Sequence, residues 1–185
     1  MIPAAPFEAL QHTAQTHPST RVAGEYMGQI LRLLSESLPA LEVMLERACG
    51  RGPAPLDAAA KQLVMAGGKR VRPLSCLLVT RACGGDASRA ISLAASVELI
   101  HSATLLHDDV IDEGEERRGR PASRVLWGNL VSVLSGDLLL TSALELVQSS
   151  GVEGAMADTL ATMQNLIAGE VAQLKARGRE DLGIE

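Results

Sequence analysis

Apolar residues recur at three- and four-residue spacing along most of the chain, which is the period of helices with one buried face. From Arg21 to Cys49 this pattern predicts one helix or two, with a break at Pro39 because proline interrupts a helix interior. Shorter helices are predicted over residues 56–66 and 72–83, since a pair of glycines follows each segment. The first half of the chain is therefore predicted to be largely helical.

The second half of the chain carries longer apolar runs. One begins near Ala87, where Asp86 or Ser88 can cap a helix, and continues to Asp112. After a polar loop at residues 114–121, three further helices are predicted over 123–127, 129–150 and 152–177. No segment shows the alternation of apolar and polar residues that is typical of a strand. The pattern predicts an all-α fold of about seven or eight helices with short connections.

Two segments need a separate interpretation. Residues 1–20 contain three prolines and have neither a basic start nor a long apolar run, so we expect a flexible N-terminal arm rather than a signal peptide. Residues 126–147 are the most membrane-like stretch, but Asp137 and Glu145 interrupt it, and we expect a buried core helix. Residues 21–185 are expected to form one helical domain.

Composition supports packed helices and narrows the functional classes. Hydrophobic residues make up 46% of the 185 residues, but only one tryptophan, one tyrosine and one phenylalanine occur, so aliphatic side chains must fill the core. A net charge of −5 and the scarcity of base-stacking aromatics argue against nucleic-acid binding. Three cysteines without metal-ligand spacing predict reduced thiols and a cytoplasmic protein.

An acidic motif, Asp108, Asp109 and Asp112, ends the apolar run that begins near Ala87. Asp108 and Asp112 are one helical turn apart and share a face, whereas Asp109 projects about 100° away. Like charges at this spacing repel, and a bound cation would remove the repulsion. Ligands that are all oxygen favour a hard cation such as Mg²⁺. The alternative is a solvated acidic helix end.

A basic turn at residues 67–73 provides a candidate anion site. Gly67 and Gly68 precede three cationic residues at a predicted helix start, where backbone N–H groups and basic side chains can converge on a phosphate. The segment is not a P-loop, because Arg70 stands where serine or threonine would follow the lysine. The alternative is a basic helix cap.

Two further cationic groups lie on either side of the acidic motif. Arg117 and Arg118 follow it, and their guanidinium groups suit diphosphate recognition, unless they only pair with neighbouring glutamates. His101 precedes Asp108 by two helical turns on the same face, although a lone histidine is more often a core residue. Together these groups predict one site in which carboxylates hold Mg²⁺ and two cation clusters bind anionic groups.

Five blocks in this order and spacing resemble the trans-isoprenyl diphosphate synthases, the polyprenyl synthetase family. The blocks are residues 67–73, 101–112, 117–119, 136–139 and 169–174. The resemblance implies an all-α helical bundle of the isoprenoid-synthase type. It also implies that isopentenyl diphosphate condenses with an allylic diphosphate: the allylic C–O bond ionises, the acceptor alkene attacks the carbocation, and a proton is lost.

The resemblance assigns a role to each candidate residue. Asp108 and Asp112 would coordinate Mg²⁺ bound to the allylic diphosphate, with Asp109 supporting the motif and Arg117 holding that diphosphate. The diphosphate of isopentenyl diphosphate would be bound by Lys69, Arg72, His101 and Arg118. The rim of the site would be completed by Glu170 and Gln173. The alternative of a class I terpene cyclase has no need of an acceptor diphosphate site. The presence of cationic residues at all four acceptor positions, Lys69, Arg72, His101 and Arg118, argues against it.

Product length is expected to depend on Ala103, five residues before the first motif aspartate. The small residue at this position and the uninterrupted acidic motif resemble those of the family's long-chain synthases. The resemblance therefore implies a long all-trans polyprenyl product. The alternative is that Ala103 is small because two helices pack closely there.

The resemblance covers only the N-terminal half of the family's pattern and lacks its second aspartate-rich motif. We expect one half of a split enzyme, in which a second polypeptide supplies the missing helices and the assembly can pair again into a higher oligomer. The alternatives are a truncated form of a full-length synthase and a non-catalytic diphosphate-binding or regulatory subunit. Contact with a membrane is expected to be at most peripheral, through the product.

Overall fold

The structure is a computed structural model that describes residues 21–176. Within these residues it contains seven α-helices, one short 3₁₀ helix and one two-stranded hairpin. The predicted all-α fold is confirmed. The predicted flexible arm, residues 1–20, and the last residue of the predicted final helix, Arg177, lie outside the described residues.

The elements follow one another with short connections. The first four helices are α1 Arg21–Leu33, α2 Ser37–Ala48, α3 Ala54–Val64 and α4 Val71–Ala82. The 3₁₀ helix Ala87–Ala90 leads into α5 Ile91–Ile111. The hairpin consists of β1 Glu116–Arg117 and β2 Arg120–Pro121, and it is followed by α6 Ser123–Ser149 and α7 Ala155–Ala176.

Two boundary predictions are wrong. The break in the first helical segment lies at residues 34–36 rather than at Pro39, which is the third residue of α2. Proline is tolerated in a first turn because the N–H groups there have no intrahelical partner. The loop at residues 114–121 contains an antiparallel hairpin in which Arg117 faces Arg120. Strands of two residues are too short to show a periodic pattern.

One local prediction is confirmed and another holds only in part. Asp86 caps the 3₁₀ helix, because its side chain accepts a 2.9 Å hydrogen bond from the Ser88 N–H, whereas α5 itself follows Ala90 and has no side-chain cap. The expected break between residues 127 and 129 occurs at Gly128, whose φ of 83° and ψ of 164° interrupt α6. This conformation is one that glycine adopts without steric cost.

The core is aliphatic and centres on α5. This helix packs against α6, α4 and α2, and α6 also packs against α3. The buried leucines of the core come from five helices: Leu41, Leu45, Leu63, Leu77, Leu99, Leu106 and Leu139. Leucine and alanine therefore fill the core in place of aromatic residues. Their side chains let neighbouring helices approach closely. The described residues divide into two compact units, one ending at Ser150 and the other beginning at Gly151.

Two segments have the length and composition of membrane-crossing helices: Ala87–Ile111 and Ser123–Ser149. Their apolar windows are 50% and 39% buried within the structure, and core helices can meet the same criteria. The core-helix prediction for residues 126–147 holds for one face of α6, which buries Leu139 and Ala143. The opposite face exposes apolar side chains, including Leu130, which is 73% exposed.

The crossing of α5 and α6 depends on a glycine at residue 136. A Cβ atom there would lie 2.3 Å from Nε2 of His107. The imidazole is held in place, since its Nε2 lies 3.2 Å from the Val133 carbonyl oxygen and 3.4 Å from Oδ1 of Asp137. Gly136 therefore allows the residue before the acidic motif to pack directly on the α6 backbone.

We expect Gly136→Ala to lower the free energy of unfolding by about 1–3 kcal/mol, the usual cost of overpacking. The measurement is denaturant unfolding, repeated in a His107→Ala background, where the cost should shrink because the clashing ring is gone. Gly169→Ala is the control, since a Cβ there meets nothing within 4 Å. Equal costs in both backgrounds would show that the imidazole is not the reason for the glycine.

Candidate functional site

The three carboxylates of the acidic motif separate at the C-terminal end of α5. Asp112 caps the helix, and its N–H donates a 2.8 Å hydrogen bond to the Asp108 carbonyl, so the two residues remain one turn apart. Asp108 is partly exposed and Asp112 is exposed, whereas Asp109 is only 1% exposed. The helix thus directs one carboxylate into the protein and leaves the other two accessible.

Arg117 binds the buried carboxylate. Its Nε donates a 2.9 Å hydrogen bond to Oδ1 of Asp109, and its Nη2 donates to the same oxygen. The hydrogen bond to Asp109 raises the pKa of Arg117 above its usual value, and the charges of Asp108 and Asp112 add to this shift. The guanidinium group therefore lies within the electrostatic field of all three carboxylates.

The basic turn has two of its cationic side chains on the protein surface and the third inside the protein. Lys69 and Arg72 are exposed, whereas Arg70 is 2% exposed and bonded to buried carboxylates. The expectation that all three cations converge on an anion is wrong for Arg70, because its guanidinium group is already paired inside the protein. The lysine and the second arginine remain accessible to a ligand.

Arg118 joins the hairpin to the basic turn. Its Nη1 donates a hydrogen bond to the Gly67 carbonyl oxygen, and a Cβ atom on Gly68 would lie 3.0 Å from the same Nη1. Burial lowers the pKa of Arg118, while the carboxylate of Glu98 opposes that shift. Gly68 therefore leaves the space in which the guanidinium group packs on the turn.

His101 lies on α5 close to the same cations. Burial lowers its pKa from the usual 6.5, and the positive charge of Arg72 lowers it further, with smaller effects from Arg118 and Arg117. Glu98 acts in the opposite direction. The structure therefore brings His101, Arg72 and Arg118 into one electropositive region.

A small open cleft lies where α3, α5 and the hairpin meet. Asp109, Arg117 and Arg118 line it, together with Arg120 and Gln62. The amide of Gln62 donates a 3.1 Å hydrogen bond to the Pro121 carbonyl oxygen, which ties α3 to the second strand. One residue of the acidic motif, Asp109, and one of the electropositive region, Arg118, thus line the same cleft, whereas Asp108, Asp112, Arg72 and His101 are not part of its lining.

Three other predicted site residues belong to α5 and α7. Ala103 is 2% exposed and belongs to the hydrophobic core. Glu170 and Gln173 are exposed residues of α7, which belongs to the second compact unit. Within the first unit, the structure brings together the carboxylates, the two arginines of the hairpin, His101 and Arg72.

Comparison with known proteins places this arrangement in a family. The sequence model described as polyprenyl synthetase matches residues 53–185, which is more than half of the chain. The chain belongs to the polyprenyl synthetase family. The resemblance seen in the sequence is thereby confirmed.

Curated relatives in this family are prenyl diphosphate synthases. Heptaprenyl diphosphate synthase component 2 of Geobacillus stearothermophilus is 40% identical over 148 residues, which cover 80% of this chain and 46% of the relative. Octaprenyl diphosphate synthase of Escherichia coli K12 is 42% identical over 113 residues, or 60% of this chain and 35% of the relative. The chain spans about half the length of the curated relatives it matches, or less.

Solved structures of the family share the fold. The polyprenyl synthase from Caulobacter crescentus CB15, complexed with calcium and isoprenyl diphosphate, matches with a TM-score of 0.80 and 35% identity. The match covers 84% of this chain and 48% of that one. Decaprenyl diphosphate synthase from Rhodobacter capsulatus matches with a TM-score of 0.74 and 40% identity, covering 80% of this chain and 46% of that one. The helical bundle is therefore the isoprenoid-synthase fold, present here as part of the family's length.

The family's acidic motif offers a donor set that suits Mg²⁺ only in part. Among residues 21–176, no three histidine, cysteine, aspartate or glutamate side chains cluster as a metal site. Mg²⁺ is usually held by one or two carboxylates, with water and substrate phosphate oxygens in the other positions. Asp108 and Asp112, both accessible and one turn apart, fit that pattern. The donor set predicts a metal that binds together with a phosphate ligand.

Sequence reasoning missed the internal role of Arg70 and the burial of Asp109. Each residue lies in a motif whose other charged members are exposed or partly exposed. Residue type alone therefore predicts a surface position for both. A signal for Arg70 was present in two glutamates, Glu42 and Glu98, at otherwise buried helix positions. A charged residue is almost never fully buried without a partner, so two such glutamates indicate a buried cation.

The lowered pKa of His101 predicts a dependence of stability on pH. The unfolded chain binds a proton at His101 near pH 6.5, whereas the folded protein binds it only at lower pH. We therefore expect the free energy of unfolding to fall as the pH drops below about 6.5 and to fall less in His101→Gln. Denaturant unfolding between pH 5 and pH 7.5 measures both, and identical pH profiles would contradict the prediction.

Proposed function

We propose that this chain is the part of a trans-polyprenyl diphosphate synthase that binds both substrate diphosphates and the metal. The enzyme would be a Mg²⁺-dependent prenyltransferase that condenses isopentenyl diphosphate with an allylic diphosphate. The observation that carries the proposal is the contact of Arg118 with the Gly67 carbonyl, because it joins the basic turn to the hairpin beside the acidic motif. Family membership supports the same reaction class.

The allylic diphosphate would bind at the acidic motif. Asp108 and Asp112 would hold Mg²⁺, which would stabilise the negative charge that develops on the departing diphosphate. Arg117 would donate to the same diphosphate, and its bond to Asp109 fixes the guanidinium group before the substrate arrives. A donor held in place pays no reorganisation cost when the allylic C–O bond breaks.

The acceptor diphosphate would bind at the basic turn. Lys69 and Arg72 are exposed on the turn, Arg118 packs on its backbone, and His101 lies in the same electropositive region. Binding there would hold the alkene of isopentenyl diphosphate near the carbocation, so that a C–C bond forms and a proton leaves. Burial lowers the pKa of His101 and so favours its neutral form in the free protein, whereas a bound anion would favour its protonated form.

We also propose a long all-trans product. Ala103 carries no bulky side chain on α5, five residues before Asp108. The curated relatives include heptaprenyl and octaprenyl synthases, but also geranylgeranyl and short-chain enzymes. The proposal of a long product therefore depends on the small side chain at residue 103. Chromatography of the dephosphorylated product measures the product length directly.

A second polypeptide would supply the rest of the fold, and we place the assembly in the cytoplasm. A relative described as component 2 of a synthase supports a two-component enzyme. In the second unit, α7 buries no residue and exposes an apolar series that needs cover: Leu160, Leu166, Ile167, Val171 and Leu174. The three cysteines are free thiols, as is usual in a reducing compartment.

The test is an assay of condensation with labelled isopentenyl diphosphate, an allylic primer and Mg²⁺. The chain is assayed alone and after co-expression with a polypeptide that carries the second aspartate-rich motif. We expect product only from the pair. Full activity of the chain alone would refute the two-component proposal, and a pair that binds isopentenyl diphosphate without consuming it would indicate a non-catalytic binding subunit.

A further inference from the structure

We propose that Arg70 is a positioning residue for the acceptor diphosphate: its buried ion network holds the basic turn so that Lys69 and Arg72 face the ligand. This inference rests on the proposed function. Arg70 would not touch the substrate, since its side chain is only 1% exposed. It would act through the shape that it gives to residues 67–72.

Arg70 connects the turn to three other helices. Its Nε and Nη2 donate hydrogen bonds of 2.9 and 3.1 Å to the two carboxylate oxygens of Glu42 on α2. Its Nη1 donates a 3.0 Å bond to Glu98 on α5, and Nη2 donates a 2.8 Å bond to the Val64 carbonyl at the end of α3. The planar guanidinium group thus fixes the start of α4 against α2, α3 and α5.

The backbone at Arg70 requires this support. Its φ of 46° and ψ of 31° lie in the left-handed region, which residues with a side chain occupy at a cost of about 1–2 kcal/mol. Such a conformation persists where surrounding contacts determine it. Because Arg70 turns inward at this point, its neighbours Lys69 and Arg72 are left on the outer side of the turn.

The buried network also balances charge beneath the acceptor site. Two carboxylates and one guanidinium group leave one excess negative charge inside the protein. The negative charge of Glu98 also acts on the site, because its carboxylate opposes the lowering of the pKa of both His101 and Arg118. The network therefore partly offsets the repulsion among the exposed cations of the acceptor site.

Stability alone does not account for the network. Replacing a buried ion pair with well-packed apolar residues is often neutral or stabilising, so its presence is weak evidence for a role in stability. Its geometry instead specifies one orientation of the turn, since three helices are bonded to one side chain. In metal sites, an outer group that orients a ligand is worth about 10- to 100-fold in affinity or activity, and we expect an effect of similar size for a group that orients this turn.

The test compares Arg70→Lys with Leu45→Ala in the assembled enzyme. Lysine keeps the charge but cannot bond both glutamates in a plane. Leu45 is fully buried and takes part in none of the described hydrogen bonds of Arg70, so its replacement is a control for lost stability. Glu42→Gln, which keeps the size of the side chain, is a second test variant if Arg70→Lys does not fold. The measurements are calorimetric binding of isopentenyl diphosphate, the KM values for both substrates, and hydrogen exchange of the turn amides.

We expect Arg70→Lys to raise the Kd and KM for isopentenyl diphosphate about tenfold, with the KM for the allylic substrate and kcat little changed. Turn amides should exchange faster, while Leu45→Ala leaves the Kd unchanged. A wild-type enzyme that does not bind isopentenyl diphosphate would overturn the proposed function and this inference together. Wild-type binding with an unchanged Kd in Arg70→Lys, or an equal rise in Leu45→Ala, would overturn this inference alone.

Discussion

Replacing Asp108 with asparagine should reduce the condensation rate of the assembled synthase about 1,000-fold, because one of two metal-holding carboxylates loses its charge. Metal stabilisation of a leaving group is worth several kcal/mol, and a loss of about 4 kcal/mol corresponds to a factor of about 1,000. The assay is single-turnover product formation at saturating isopentenyl diphosphate. Raising the Mg²⁺ concentration should recover part of the rate, since the variant binds the metal more weakly.

Glu116→Gln is the matched control for Asp108→Asn. Both changes remove one negative charge by exchanging a carboxylate for an amide, and Glu116 is exposed on the first strand, eight residues further along the chain. The control should keep at least half of the wild-type rate, because a surface charge contributes little. An equal loss of rate in both variants would mean that net charge, rather than a metal ligand, matters.

Arg117→Gln should impair both stability and activity. Asp109 is only 1% exposed and accepts both of the described hydrogen bonds of Arg117, so removing the arginine leaves a buried carboxylate without its cation. The expected loss is about 3 kcal/mol in the free energy of unfolding, at the lower end for a broken buried pair because Arg117 is partly exposed. Denaturant unfolding measures this cost.

A double variant separates the two roles of Arg117. Asp109→Asn in the Arg117→Gln background removes the uncompensated charge, so stability should largely return. Activity should stay low, because no guanidinium group remains to bind the allylic diphosphate. If the double variant regained full activity together with stability, the arginine would serve only to neutralise Asp109, and the proposed contact with the diphosphate would be wrong.

The sequence was sufficient for the helical fold and for the grouping of most candidate residues, but not for the direction of individual side chains. Asp108 and Asp112 could be assigned to one face because a spacing of four residues fixes it. The inward direction of Asp109 could not, since α5 is apolar around most of its circumference and its periodicity does not identify the core side. That direction depends on an element outside α5, the hairpin, whose Arg117 binds the Asp109 carboxylate.

Arg70 illustrates the same limit for the basic turn. Three cations in four residues predicted one shared role, yet a left-handed backbone at the middle cation separates it from the other two. A glycine would be the usual signal for such a conformation, and here an arginine occupies it. Only the positions of Glu42 and Glu98, each 28 residues away from Arg70, explain why. Contacts of this range leave no local pattern.

The contact between Arg118 and Gly67 has a consequence for the order of folding. The two residues are 51 positions apart, and the contact of Gln62 with Pro121 spans 59. Contacts of long range form late, because the entropy of closing the loop must be lost before they contribute. During synthesis, α5 and its acidic motif would emerge before the hairpin. The acceptor pocket is therefore the part of the site that a nascent chain completes last.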